Sequence, residues 1–195
     1  MHKVLYRIAI VLLTLSVMFL SWCFSVILIF NRKKEVPIVV VNYKNYYQAL
    51  SILEQELYED ELTLTKVEIK SYVEKDLGLK FYIYAEKDLG ITYSGKAYPI
   101  IRTIIMDDDL INYQYCQTFA HEVLHLKLCL KNETYICYET FKYLYEDKVL
   151  HNVGVAYGWR QLTNPPASEY NIQAQVIYYL TNKLKFDKEK QNENI

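Results

Sequence analysis

Glycine and proline are scarce in this chain, five and four in 195 residues. That excludes collagen-like, low-complexity and linker-dominated sequences, which need those residues in quantity. Charge of one sign is also missing: the formal net charge is −1. No global basic field favours nucleic acid, and nucleic-acid partners are excluded on that ground. The four cysteines include no CxxC pair, so the paired-cysteine zinc modules are absent. Cys116, Cys129 and Cys137 beyond the N-terminal segment are odd in number and cannot all pair within one chain, which favours a reducing compartment. Cys129 and Cys137 read as small buried residues. Histidine is limited to four positions.

What is abundant is tyrosine, at 20 residues spread without a repeat. The other surplus is a long apolar run, IAIVLLTLSVMFLSWCFSVILIF, from Ile8 to Phe30. It carries no charge, with Lys3 and Arg7 before it and Arg32, Lys33 and Lys34 after it. As a helix it would extend roughly 35 Å, enough for a hydrocarbon core of about 30 Å. A secretory signal has a shorter apolar region and a small-residue cleavage site. Trp22 occupies the place where a lipoprotein site before Cys23 needs a small residue. The run therefore predicts a single-pass membrane anchor in contact with the lipid bilayer through residues 8–30. The more basic following flank favours a cytoplasmic soluble part. The two basic residues in the short leading tail argue the other way.

Residues 1–35 then form the anchor and its basic flanks, 36–184 one folded domain, and 185–195 a frayed polar tail. VPIVVVNY at 36–43 has the β-branched density of a strand. Apolar spacing predicts helices over 46–57 and 65–77, the second ending at Gly78. LKFYIYAE at 79–86 and PIIRTIIMD at 99–107 read as strands, with loop around Gly90 and Gly95. A helix is predicted from Asn112 to Leu128. Another runs from an Asn132 N-cap to about Leu150, with Glu133 in its first turn. NVGVAYGWRQLTNPPASEY reads as loop, and IQAQVIYYLTNKL as a last helix.

The chemistry lies in TFAHEVLHLKL, residues 118–128. His121 and His125 are four apart, so on a helix both imidazoles project from one face and reach one zinc ion at about 2.0–2.1 Å. Glu122 lies beside the first ligand and points around the helix, where it serves as base to a zinc-bound water and then as acid to the leaving amine. The alternative is a surface helix carrying two histidines by chance. An HExxH match arises in random sequence on the order of once in a few hundred chains of this size. The apolar Phe119, Ala120, Val123 and Leu124 also favour a packed motif. Asp107, Asp108 and Asp109 lack EF-hand spacing and read as a solvated turn.

AHEVLH with a glutamate downstream resembles the zincin metallopeptidases, in particular the gluzincin type. There a carboxylate from the next helix completes the site. The metzincin pattern is excluded by Leu128 and Lys131 where it needs glycine and histidine. The resemblance covers about residues 65–150, and only HExxH is specific. With the anchor read from the apolar run, the expected fold is α+β: a single transmembrane helix followed by what the resemblance implies, a minimal zincin-like domain with a small sheet packed on the HExxH helix and the helix after it. It also implies that the strand preceding the active helix holds an extended substrate by backbone pairing. The third ligand is Glu133 or Glu139. Asn132–Glu133 is similar to the asparagine–glutamate pair of thermolysin-like enzymes, though at shorter spacing. A tight hairpin near residue 131 would instead bring Glu139 level with the histidines, each roughly 12 Å from the turn. His151 is a weaker catalytic candidate, with Tyr157 and Arg160 after it. The expected function is a membrane-anchored zinc metallopeptidase acting on a membrane-proximal peptide segment. The alternative is a catalytically inactive, membrane-anchored binding or scaffolding protein with the same fold.

Overall fold

The computed structural model describes residues 12–21, 43–57, 62–79, 81–90, 93–129, 131–164 and 172–193. The chain divides into two compact units, 1–35 and 36–195. In the first unit the described residues form helix α1 at 12–21, all of them exposed. Ten residues rise about 15 Å, half of a hydrocarbon core. Among the described residues no helix is long and apolar enough to cross a membrane. The fold class is corrected accordingly: an α+β chain, with no transmembrane helix in its described part. The other residues of the run, 8–11 and 22–30, lie outside the described set.

The second unit contains α2 (Tyr43–Glu56), α3 (Lys66–Leu77), β1 (Ile83–Glu86), β2 (Gly95–Tyr98), β3 (Thr103–Met106), α4 (Asn112–Leu128), α5 (Glu133–Glu146), α6 (His151–Thr163) and α7 (Gln173–Glu193). The strand expected at 36–43 falls on residues 36–42, outside the described set, and Tyr43 already opens α2. Helix α3 is bounded by local chemistry. Thr65 and Glu68 form a reciprocal capping box, and Gly78 ends the helix at φ 68°, where a side chain would be strained. Asn132 caps α5 by accepting from the Tyr135 N–H at 2.8 Å. Helix α5 stops at Glu146 rather than Leu150, because the Asp147 carboxylate accepts the N–H groups of Val149 and Leu150 and turns the chain.

Four expectations change in the remaining elements. Much of the stretch read as loop, NVGVAYGWRQLTNPPASEY, is helical: α6 runs over His151–Thr163. A Cβ on Gly154 would stand 2.4 Å from the Tyr145 backbone N, and one on Gly158 would stand 2.6 Å from Phe141 Cε2. These glycines therefore allow close helix packing. The segment around Gly95, read as loop, is β2, and the frayed tail expected from 185 is helical through Glu193. PIIRTIIMD contributes only Thr103–Met106, after a turn at 99–102.

The sheet order is β1-β3-β2, with β3 parallel to β1 and antiparallel to β2. One apolar core joins α3, the sheet and α4 through Ile69, Val73, Ile104, Met106, Phe119 and Val123. A second joins α2, α5, α6 and α7 through Leu53, Phe141, Val155 and Val176. Helix α4 packs against both the sheet and α5, which puts one of its faces beneath β2 and another against the start of α5.

Candidate metal centre

The 3.6-residue repeat places His121 and His125 on the α5 side of α4, with Tyr115, Phe119 and Val123 buried in the core. The two Nε2 atoms are 3.0 Å apart. Glu133, the first residue of α5, bridges them: Oε1 lies 2.8 Å from His121 Nε2 and Oε2 lies 3.0 Å from His125 Nε2. Ligands at 2.0–2.1 Å around a tetrahedral zinc stand about 3.3 Å apart. Two imidazole nitrogens and a carboxylate at this spacing fit such an ion, and suit zinc by donor type.

The His121 tautomer follows from its other nitrogen. Thr140, fully buried, donates its hydroxyl to the Ile136 carbonyl at 2.8 Å, so its oxygen is left to accept from His121 Nδ1–H at 3.3 Å. With a metal bound, that would leave the Nε2 lone pair for the ion, the form a metal ligand requires. In the metal-free site, burial pulls the His121 imidazole toward neutrality. Its hydrogen bonds with Cys137 and Glu133 and the charges around it outweigh that and raise it to about 10. Burial pushes the Glu133 carboxyl up, but the two histidines outweigh it and hold it well below the usual carboxylate range.

Glu122 is 7% exposed and points beneath β2. Burial raises its carboxyl, partly offset by His121, His125 and the Ala97 N–H, which donates to the carboxylate. A Cβ on Gly95 would meet Thr118 Cγ2 at 2.7 Å and Glu122 Cγ at 3.0 Å, so only glycine lets β2 lie this low on α4.

The substrate-strand expectation needs correction here. β3 is central, with β1 on one side and β2 on the other, so its backbone has no free edge. The edge beside Glu122 belongs to β2. The Asp107 N–H donates to the Ser94 carbonyl, and antiparallel alternation then makes Gly95 and Ala97 the residues whose polar groups point off the outer edge.

Of the two glutamates weighed for the third ligand, Glu133 faces the histidines and Glu139 does not. Glu139 lies instead beside Tyr135, whose hydroxyl is pushed up by burial and by this carboxylate. Height along the hairpin favoured Glu139, but azimuth decides. Glu133, Cys137 and Thr140 share the face toward α4, and Glu139 sits two steps of about 100° beyond Cys137. His151 joins a different cluster. Its Nδ1 donates to the Tyr145 carbonyl at 2.6 Å, and its Nε2 lies 3.6 Å from Glu56. Around it is a cavity of about 540 Å³ with Asp147, Lys148 and Lys183, which includes none of the four central residues.

Sequence reasoning missed Cys137, whose sulfur lies 3.8 Å from Glu133 Oε1. The donor atoms of His121, Glu133 and Cys137 all fall within 4.8 Å of one another. The available signal was its four-residue spacing from Glu133, the same as between the histidines. Tyr157, 4% exposed, stands by this group from α6, where burial and then the neighbouring Cys137 and Glu133 push its hydroxyl up. The carboxylates of Asp107, Asp108 and Asp109 also gather within 4.8 Å, in a turn where Asp107 Oδ1 accepts the Asp109 N–H at 3.1 Å. Comparison with protein-family models, curated proteins and solved structures finds no match for this chain.

Proposed function

We propose that this protein is a zinc-dependent peptidase of the zincin type, hydrolysing a peptide bond in an extended segment. The observation that carries the reading is the convergence of His121 Nε2, His125 Nε2 and the Glu133 carboxylate within 3.0 Å, with Glu122 buried next to them under an edge strand. Zinc held by these three side chains would supply Lewis acidity to a water and to the scissile carbonyl.

The remaining steps belong to the chain itself. The outer edge of β2 pairs with an extended peptide through the backbone groups of Gly95 and the Ala97 carbonyl, fixing the scissile bond over α4. Glu122 takes a proton from the attacking water as its oxygen bonds to the carbonyl carbon. The same carboxyl then delivers that proton to the amine nitrogen as the C–N bond breaks. Burial supports both roles, because a raised carboxyl gives up its proton more evenly near neutral pH. Thr140 holds His121 in the ligating tautomer throughout.

The test is metal analysis of the full chain together with hydrolysis of a quenched-fluorescent peptide library. Zinc is expected at one per chain, lost in Glu133→Ala and retained in Glu139→Ala. Glu122→Gln is expected to keep zinc and lose hydrolysis by about 10²–10⁴-fold. Absence of zinc from the wild-type protein refutes the reading. Retained zinc with hydrolysis unchanged in Glu122→Gln refutes the mechanism, and zinc without any hydrolysis favours the inactive scaffold.

A further inference from the structure

Glu133 and Cys137 are one turn apart on α5, as His121 and His125 are on α4, and the two turns face each other. Ligands bonded at 2.0–2.3 Å around a tetrahedral ion stand roughly 3.3–3.7 Å apart. The Cys137 sulfur, 3.8 Å from Glu133 Oε1, is already close to that spacing. It also lies within 4.8 Å of a ring nitrogen of His121. A cysteine that only fills space has no need of two metal-ligating neighbours at this distance. Cys116, wholly buried in the apolar core, shows the contrast.

We propose that Cys137 is a fourth metal ligand in the resting protein, closing the site formed by His121, His125 and Glu133. Structural zinc sites use four protein ligands, whereas hydrolytic sites keep one position for water. The sulfur would therefore make the peptidase latent, with the reactive position opening only when the thiolate gives way. A thiolate also biases the site toward zinc and other thiophilic ions over magnesium or manganese. The latency rests on the peptidase reading; the sulfur ligand itself does not.

The test uses the full chain loaded with cobalt(II), which reports a thiolate ligand by a charge-transfer band in the near ultraviolet. Zinc-edge X-ray absorption of the wild-type protein gives a readout independent of any variant. Expected are the cobalt band and a zinc–sulfur shell at about 2.3 Å. Cys129→Ser should keep the band. Cys137→Ser and Cys137→Ala should lose it while binding one cobalt per chain, and their zinc forms should hydrolyse peptide faster than wild type. Bound metal with neither band nor sulfur shell in wild type overturns the proposal and leaves the three-ligand peptidase standing. Absence of bound metal overturns both. A sulfur shell with no gain of hydrolysis in either Cys137 variant overturns the latency.

Discussion

Thr140→Val should weaken metal binding without touching a ligand. The two side chains have nearly the same shape, so the fully buried site keeps its packing. The Ile136 carbonyl loses only the additional donor from the hydroxyl at 2.8 Å. His121 loses more, because its Nδ1–H no longer has the oxygen 3.3 Å away. Second-shell partners of ligating histidines are worth about 10–100-fold in affinity. A hydrogen bond of 3.3 Å is long for its type, which puts the effect near the low end: about tenfold, or about 1.4 kcal/mol. The assay is competition for zinc against a chromophoric chelator at fixed pH, with thermal melts to verify folding. Thr140→Ser, which keeps the hydroxyl, should bind as wild type does. A folded Thr140→Val protein with wild-type zinc affinity would refute the argument that Thr140 sets the tautomer.

Gly95→Ala should destabilise the fold by about 1–3 kcal/mol through overpacking, since its Cβ would stand 2.7 Å from Thr118 Cγ2; denaturant unfolding measures this, and peptide hydrolysis should fall as β2 lifts from Glu122. His151→Ala should leave zinc stoichiometry unchanged, because its partners are Tyr145 and Glu56; a cost of about 0.5–1.5 kcal/mol for the lost hydrogen bond is expected in the same unfolding assay. Loss of zinc there would place His151 in the site after all. For metal-free protein the pH dependence has a definite sign. The raised His121 contributes stability that is full below about 6.5 and lost as pH rises through about 10. The depressed Glu133 contributes stability present above about 4.5 and lost as pH falls below it. Melting temperature of the metal-free chain should therefore peak near pH 5–6 relative to a Glu133→Gln variant, and a difference that grows toward pH 10 would contradict the assignment.

Much of the helical architecture was legible because its signals are local. Thr65 with Glu68 and Gly78 bound α3 in sequence as in structure, and Asn132 starts α5 for the same reason. α6 was not legible, since Gly154 and Gly158 look like loop formers until their neighbours are known; the backbone of Tyr145 and the ring of Phe141 explain them. β2 is four residues with one glycine, too short for a periodic signal, and its pairing with β3 makes it a strand.

The candidate site divides the same way. His121, Glu122 and His125 were readable because one helical turn, a purely local geometry, sets their relation. The choice between Glu133 and Glu139 was not, because it depends on how α5 is rotated against α4, and that is set by packing across both helices. Cys137, Thr140 and the edge strand above Glu122 were hidden for the same reason. Sequence alone determined the two histidines and the intervening carboxylate; the tertiary contacts of α4 with α5 and β2 decided which groups surround them, since side chains distant along the chain meet only when the helices and sheet pack.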